Sequence, residues 1–128
     1  MKPLDILFED GAEPEPHEIH TALFLRKTGR EVTFLAPKNQ HGVKTPDIRM
    51  DGLYWEVKSP VSAGARSIEH AFRSAIKQSE NIIFDLRRSR ASDMANLAKI
   101  KYIYKLVRSK KVKRVLIITK EQKLLDLE

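Results

Sequence analysis

The sequence contains no cysteine, so disulfide bonds and thiolate metal sites are excluded, and any metal must be held by carboxylate or imidazole groups. Only 5 glycines and 6 prolines punctuate the 128 residues, which excludes a collagen-like or low-complexity chain. No apolar run reaches the ~18 residues of a membrane span, and the acidic start MKPLDILFEDG has no signal-peptide core. The length and an apolar content of 41% suit a single domain of residues 1–128.

Charge is distributed unevenly along the chain. Residues 1–64 carry a net charge of −2, whereas residues 65–128 carry +9. A basic half favours a polyanionic partner, with nucleic acid first and an anionic membrane second. A membrane is disfavoured because the predicted helices have no large exposed apolar face. Charge by itself does not decide the matter, since many basic domains are merely well solvated.

Apolar periodicity and turn residues predict the element order α-β-β-β-α-β-α-β after an irregular N-terminal arm at residues 1–16. Predicted helices cover 17–28, 66–80 and 92–109, and the tail at 120–128 is predicted to form a last short helix. Predicted strands cover 31–35, 46–51, 53–59, 81–86 and 112–119. Antiparallel strands followed by helix-linked crossovers predict an α/β fold with a mixed sheet and helices on both faces.

The most informative segment is a predicted hairpin whose two loop residues are Asp51 and Gly52, a strong type I′ turn signal. This turn pairs Met50 with Leu53 and sets the register of the whole hairpin. One face is then wholly apolar, with Ile48, Met50, Leu53, Trp55 and Val57. The other face carries Asp47, Arg49, Tyr54, Glu56 and Lys58. A one-residue slip would mix the two sets, so the segregation supports the register.

In this register Asp47 lies directly opposite Glu56, and two opposed acids are destabilising unless positive charge lies near them. Lys58, two residues beyond Glu56 on the same face, could supply part of that charge. A divalent cation could supply more, and Mg²⁺ prefers carboxylate and water oxygens, with Mn²⁺ or Zn²⁺ as alternatives. Such a site suits phosphodiester hydrolysis, with the lysine activating water or stabilising developing charge. The alternative is a solvent-facing strand whose acids are neutralised by Arg49 and Lys58.

The tripeptide Thr45-Pro46-Asp47 followed by Glu56-Val57-Lys58 resembles the signature of the PD-(D/E)xK nuclease superfamily. The element order predicted over residues 17–86 also matches the core of that superfamily. The resemblance implies a restriction-endonuclease-like mixed sheet with an α-β-β-β-α-β core. It further implies that Asp47 and Glu56 are metal ligands and that Lys58 is the catalytic lysine.

Within this segment, KTPDIRMDGLYWEVKSP is similar to the C-terminal toxin nucleases of contact-dependent growth inhibition (CdiA-type) systems. That resemblance implies a tRNA nuclease that is delivered from the producing cell and acts in the cytoplasm of a target cell. It also implies a dedicated immunity protein, which the net charge of +9 in residues 65–128 leads us to expect to be acidic. A free-standing nuclease of this fold would be cytoplasmic.

Several side chains outside the hairpin are further candidates. Many members of the nuclease superfamily use an acid from the first helix, and Glu18 is the candidate here; the alternative is a first-turn Glu favoured by the helix dipole. Related enzymes often place a polar residue on the helix after the motif, where Gln78 is predicted to lie, although it could be an ordinary exposed Gln. His17 and His20 are three residues apart, but a third imidazole at zinc-ligand spacing is lacking.

The basic residues form patterns that suit phosphate binding. Predicted substrate-binding residues are Lys101, Lys105 and Arg108 on the third helix, Arg87 and Arg88 in a basic turn, and Tyr54 as a stacking platform. Solvated helix faces would show the same pattern. The two functional alternatives are a DNA endonuclease of the same fold (resolvase or restriction-like) and a non-catalytic nucleic-acid-binding module. The opposed acids Asp47 and Glu56 argue against a binding module, which does not need two carboxylates facing each other.

Overall fold

Seven strands lie side by side in the order in which they occur along the chain, in a computed structural model that describes residues 5–38, 45–107 and 111–127. The strands are β1 (Ile6–Phe8), β2 (Val32–Phe34), β3 (Ile48–Met50), β4 (Leu53–Lys58), β5 (Asn81–Asp85), β6 (Arg114–Ile118) and β7 (Leu124–Leu127). The helices are α1 (Pro16–Lys27), α2 (Ser67–Ile76) and α3 (Asp93–Val107). β1 and β2 are parallel, as are β4, β5 and β6, and the other neighbours are antiparallel. The predicted mixed α/β sheet is therefore confirmed.

Each face of the sheet has its own apolar core because consecutive strand residues point to opposite faces. On one face, Leu25 of α1 packs in a cluster with Trp55 and Ile83. On the other, Phe72 of α2 and Ile100 of α3 pack in a cluster with Phe84. Helices cover both faces, as predicted, and the parallel β4–β5–β6 unit is connected by α2 and α3.

The central hairpin has the predicted register. Asp51 and Gly52 have φ values of 54° and 74°, as both loop residues of a type I′ turn require. Met50 pairs with Leu53, and Ile48 pairs with Trp55. The apolar face is buried, with Ile48, Met50 and Trp55 at most 1% exposed. The alternating pattern and the turn together were sufficient to specify this unit.

The two ends of the chain differ from the prediction. The N-terminal arm is not wholly irregular: β1 pairs with β2 in parallel, and the ring of Phe8 stacks on Phe34 with centroids 5.2 Å apart. The tail is not a helix but β7, which closes an antiparallel turn against β6. Both segments are short apolar runs without a distinctive period, and the open edges of the sheet provide hydrogen-bond partners that decide their conformation.

No helix in the described part of the chain is long and apolar enough to cross a membrane.

Candidate active site

The candidate site lies at the carboxyl end of β4, where its ladder with β3 ends. The backbone N–H of Asp47 donates to the carbonyl of Trp55 at 3.0 Å, and the Asp47 carboxylate accepts from the N–H of Val57 at 2.9 Å. The aspartate carboxylate therefore accepts the hydrogen bond that a backbone carbonyl would accept if the pairing of β3 and β4 continued. Its carboxyl group is fixed beside Glu56, as the predicted register required.

Glu56 is a buried acid, 3% exposed, on a strand whose neighbouring residues form the core. Its Oε2 lies 3.4 Å from Nζ of Lys58, but no hydrogen-bond donor in the described residues reaches its buried Oε1. Lys58 is oriented by a second contact, 3.1 Å from Oγ of Ser74 on α2. Sequence reasoning missed Ser74; the available signal was its position next to the apolar Ala75, which is buried, on the predicted second helix.

Glu18 combines the two roles that the sequence offered as alternatives. Its Oε1 accepts the backbone N–H of Glu15 at 2.7 Å and so caps the start of α1. The same carboxyl group is half-buried and lies within hydrogen-bonding reach of Asp47. The site is therefore a row of three acids, Glu18–Asp47–Glu56, ending at Lys58; this row is called the carboxyl row below.

The acids of the carboxyl row are difficult to ionise together. Burial, followed by the charge of Glu56, raises the pKa of Asp47 to about 6. Burial is also the main reason that the pKa of Glu18 is raised to about 7, and Asp47 acts in the same direction. The pKa of Glu56 is raised by burial, although Asp47 and Lys58 oppose this. A proton or a cation is needed to hold these oxygens together.

The oxygen donors of the carboxyl row fit a Mg²⁺ ion whose remaining ligands come from water and substrate. In residues 5–38, 45–107 and 111–127 no group of three or more His, Asp or Glu side chains is arranged to hold a metal ion, so His17 and His20 have no third ligand there. Mg²⁺, however, often takes only one or two protein carboxylates and completes its shell with water and phosphate. Asp47 and Glu56 supply such a pair, and the unpartnered Oε1 of Glu56 is a free oxygen donor.

A pocket of about 180 Å³ opens beside the carboxyl row and gives access to it. Its lining includes Glu18 and Asp47, together with Pro14, Pro37 and Lys38. The pocket is polar and adjoins two of the three acids. The two acids are therefore reachable from this pocket.

The predicted substrate-binding residues fall in different places. Tyr54 is 52% exposed on β4, and Lys101 and Lys105 are exposed on α3. Gln78 is not on α2, because that helix ends at Ile76, and it lies half-buried in the following turn. Arg108 lies outside the described residues.

The two arginines of the basic turn have distinct partners. Arg87 directs its guanidinium to the buried Asp85 at 2.8 Å, donates to the carbonyl of His20 at 3.0 Å and lies over the ring of Phe24. These contacts commit Arg87 to holding α1 against the sheet. Arg88 instead contacts Ser59, which directly follows Lys58.

Residues 44–124 match the family model described as the contact-dependent growth inhibition CdiA C-terminal domain. The chain belongs to this family. The match includes Asp47, Glu56 and Lys58, whereas Glu18 lies before it. Among solved structures, the chain is similar to one titled "CdiA-CT/CdiI toxin and immunity complex from Burkholderia pseudomallei", with a TM-score of 0.70 and 20% identity.

The alignment with that Burkholderia pseudomallei structure covers 97% of this chain and 99% of the other. At this identity the likeness shows that the CdiA C-terminal domain described here shares the fold over nearly its whole length. No curated protein sequence matches the chain.

Proposed function

We propose that this CdiA C-terminal domain is a toxic effector that hydrolyses phosphodiester bonds as a metal-dependent endonuclease, with tRNA as its favoured substrate. The observation that carries the proposal is the carboxyl row ending at Lys58. Asp47 and Glu56 would hold the cation, with Mg²⁺ first and Mn²⁺ or Zn²⁺ as alternatives. When bound, such an ion polarises a phosphodiester and lowers the pKa of bound water.

The protein's own groups have separable tasks in this proposal. Lys58, held between Glu56 and Ser74, presents an ammonium group that stabilises negative charge developing on the phosphate. Glu18 extends the oxygen-lined surface from Asp47 toward the pocket of about 180 Å³. The backbone N–H of Val57 fixes the Asp47 carboxylate, so the site is organised before substrate binds.

Lys101 and Lys105 are proposed to bind backbone phosphates, because they are exposed one turn apart on α3. Replacing both with Glu should weaken nucleic-acid binding and lower its salt slope by roughly 0.7–0.9 per lost contact. The matched control is the same charge change at Lys27 and Lys123, which lie outside α2 and α3. Equal effects of the two double variants would show that the residues that bind backbone phosphates lie elsewhere.

The decisive experiment incubates the purified protein with total tRNA and with plasmid DNA, each with Mg²⁺ and with EDTA, beside a Glu56→Gln control. Cleavage of tRNA that needs Mg²⁺ and Glu56 is the expected result. Cleavage of plasmid alone would support the DNA endonuclease alternative, which shares the same catalytic groups. Binding without cleavage of either substrate would instead leave a nucleic-acid-binding module.

An immunity protein is the partner proposed for this toxin. The similar structure is titled as a toxin and immunity complex, and residues 65–128 of this chain carry a net charge of +9. An acidic partner would associate quickly and in a salt-sensitive way. Expression in a bacterial host should be toxic alone and harmless together with the neighbouring open reading frame. A chain with an intact carboxyl row that is harmless alone would contradict delivery as a toxin into target cells, but not the nuclease activity.

A further inference from the structure

A second cleft, of about 140 Å³ and lined by residues with polar side chains, opens next to the carboxyl row. It lies where the carboxyl ends of the parallel strands β4 and β5 meet the first turns of α1, which is where ligands commonly bind in open α/β sheets. Its lining residues are His17, His20, Ser59, Asp85, Arg87 and Arg88. At ~30 Å³ per water molecule, the cleft has room for roughly four or five waters, or a tetrahedral oxyanion with fewer.

Chain connectivity joins this cleft to the catalytic groups at two points. Ser59 directly follows Lys58. His17 directly precedes Glu18 and lies close enough to lower the pKa of that carboxyl group, against the larger effect of burial. Neighbouring Cα atoms are about 3.8 Å apart. A backbone phosphate next to a scissile phosphate at the carboxyl row is therefore expected to reach the cleft.

The floor of the cleft is rigid and electrically balanced. Asp85 is 3% exposed, and its two oxygens accept hydrogen bonds from the side chain of Thr21, the side chain of Arg87 and the N–H of Arg87. The charges of Asp85 and Arg87 cancel each other. The floor therefore does not itself repel an anion, although it contains a carboxylate.

Arg88 supplies positive charge at the rim of the cleft. Its Nε donates to Oγ of Ser59 at 3.1 Å, and one terminal nitrogen donates to the carbonyl of Ser59 at 3.0 Å. Both acceptors are neutral, and within the described residues no acid forms a salt bridge with Arg88. A guanidinium group has five N–H donors, so three remain for a ligand. Arg88 is an anchored cation with unused donors.

We infer that this cleft is a second phosphate site, which binds a backbone phosphate next to the scissile one through Arg88 and the imidazoles of His17 and His20. The inference rests on the proposed nuclease function. Arginine with two imidazole donors suits the two non-bridging oxygens of a phosphodiester, which share one negative charge. The His17 imidazole lies 4.0 Å from a carboxylate oxygen of Glu15, which is beyond hydrogen-bond distance. Within the described residues neither imidazole forms a side-chain hydrogen bond, so both can donate to the ligand.

The test uses single-stranded RNA and DNA octamers in which one linkage at a time is a neutral methylphosphonate. Binding is measured in EDTA, so that the result is independent of metal-dependent cleavage, and cleavage is measured separately with Mg²⁺. The variants are Arg88→Gln and the double variant His17→Asn/His20→Asn. Their controls are Arg66→Gln and His70→Asn, exposed residues of the same types outside the cleft.

In the wild-type protein and both controls, a methylphosphonate at one linkage should weaken octamer binding about tenfold, since it removes a charge-assisted hydrogen bond. In Arg88→Gln that penalty should nearly vanish, and in the histidine double variant it should shrink. An equal penalty in all five proteins, or none in the wild type, would overturn the second phosphate site. If the variants lose the penalty but the wild-type protein cleaves nothing in Mg²⁺, the second phosphate site is supported and the nuclease proposal is contradicted.

Discussion

The hydroxyl of Thr21 donates a hydrogen bond of 2.5 Å to the carboxylate of Asp85, across 64 residues of sequence, and both residues are buried. This contact joins α1 to the carboxyl end of β5. Arg87 reinforces it by bonding both Asp85 and the carbonyl of His20. Since Glu18 lies one turn before Thr21, the same link positions the first acid of the carboxyl row.

Replacing Thr21 with Val, which has the same shape, should lower the free energy of unfolding by roughly 1.5–3 kcal/mol, because a hydrogen bond to a buried charge is lost. Urea denaturation measures this value. Thr33→Val is the matched control, since Thr33 is also buried but makes no side-chain hydrogen bond in the described part of the chain. Equal losses in the two variants would show that the Thr21–Asp85 hydrogen bond does not contribute the predicted stability.

The contribution of Asp85 to stability should depend on pH. Burial alone would raise the pKa of Asp85, but hydrogen bonds from Arg87 and Thr21 outweigh burial and hold it below its ordinary value. A depressed folded-state pKa stabilises the fold above the unfolded pKa of about 4, and this contribution is lost as pH falls through the folded-state pKa.

Asp85→Asn should therefore cost most stability at pH 6–7 and progressively less below about pH 4. Chemical denaturation of the wild type and the variant across this pH range measures the difference. Asp126→Asn, at an exposed ion pair with Arg114, is the control and should cost little at any pH. A cost of Asp85→Asn that does not change with pH would contradict the assigned role of the charge.

Glu56→Gln should abolish cleavage while leaving the metal-free fold as stable as the wild type or more so. The substitution removes a proposed metal ligand, and it also relieves the opposition between the carboxyl groups of Glu56 and Asp47. Cleavage assays in Mg²⁺ and thermal unfolding in EDTA provide the two readouts. Wild-type turnover would exclude Glu56 from the chemistry, whereas a large loss of stability would show that its contact with Lys58 is structural.

Lys58→Ala should lower the cleavage rate ~10²–10⁴-fold and change nucleic-acid binding little, because the cation proposed to stabilise developing charge is lost. Ser74→Ala keeps the ammonium group and removes only its 3.1 Å contact, so a smaller loss of rate is expected. Single-turnover rates and binding constants separate the two effects. If Lys58→Ala cuts at the full rate, Lys58 is an ordinary surface charge.

The sequence was sufficient for features that depend on local geometry. The register of the central hairpin follows from two loop residues with positive φ and from alternation with period two, so Asp47, Glu56 and Lys58 could be placed on one face in advance. The helices α2 and α3 likewise follow from apolar residues repeated every three or four positions, within a few turns of each other.

Only the tertiary structure decided which elements meet. β1 and β7 are strands because the edges of the sheet offered them partners, which no short apolar run encodes by itself. The approach of Glu18 to Asp47, the Lys58–Ser74 contact and the Thr21–Asp85 bond each depend on which helix covers which face. Contacts between residues so far apart in sequence are set by the packing of the whole sheet. Residue types and spacing therefore identified candidate residues but did not predict which of them are in contact.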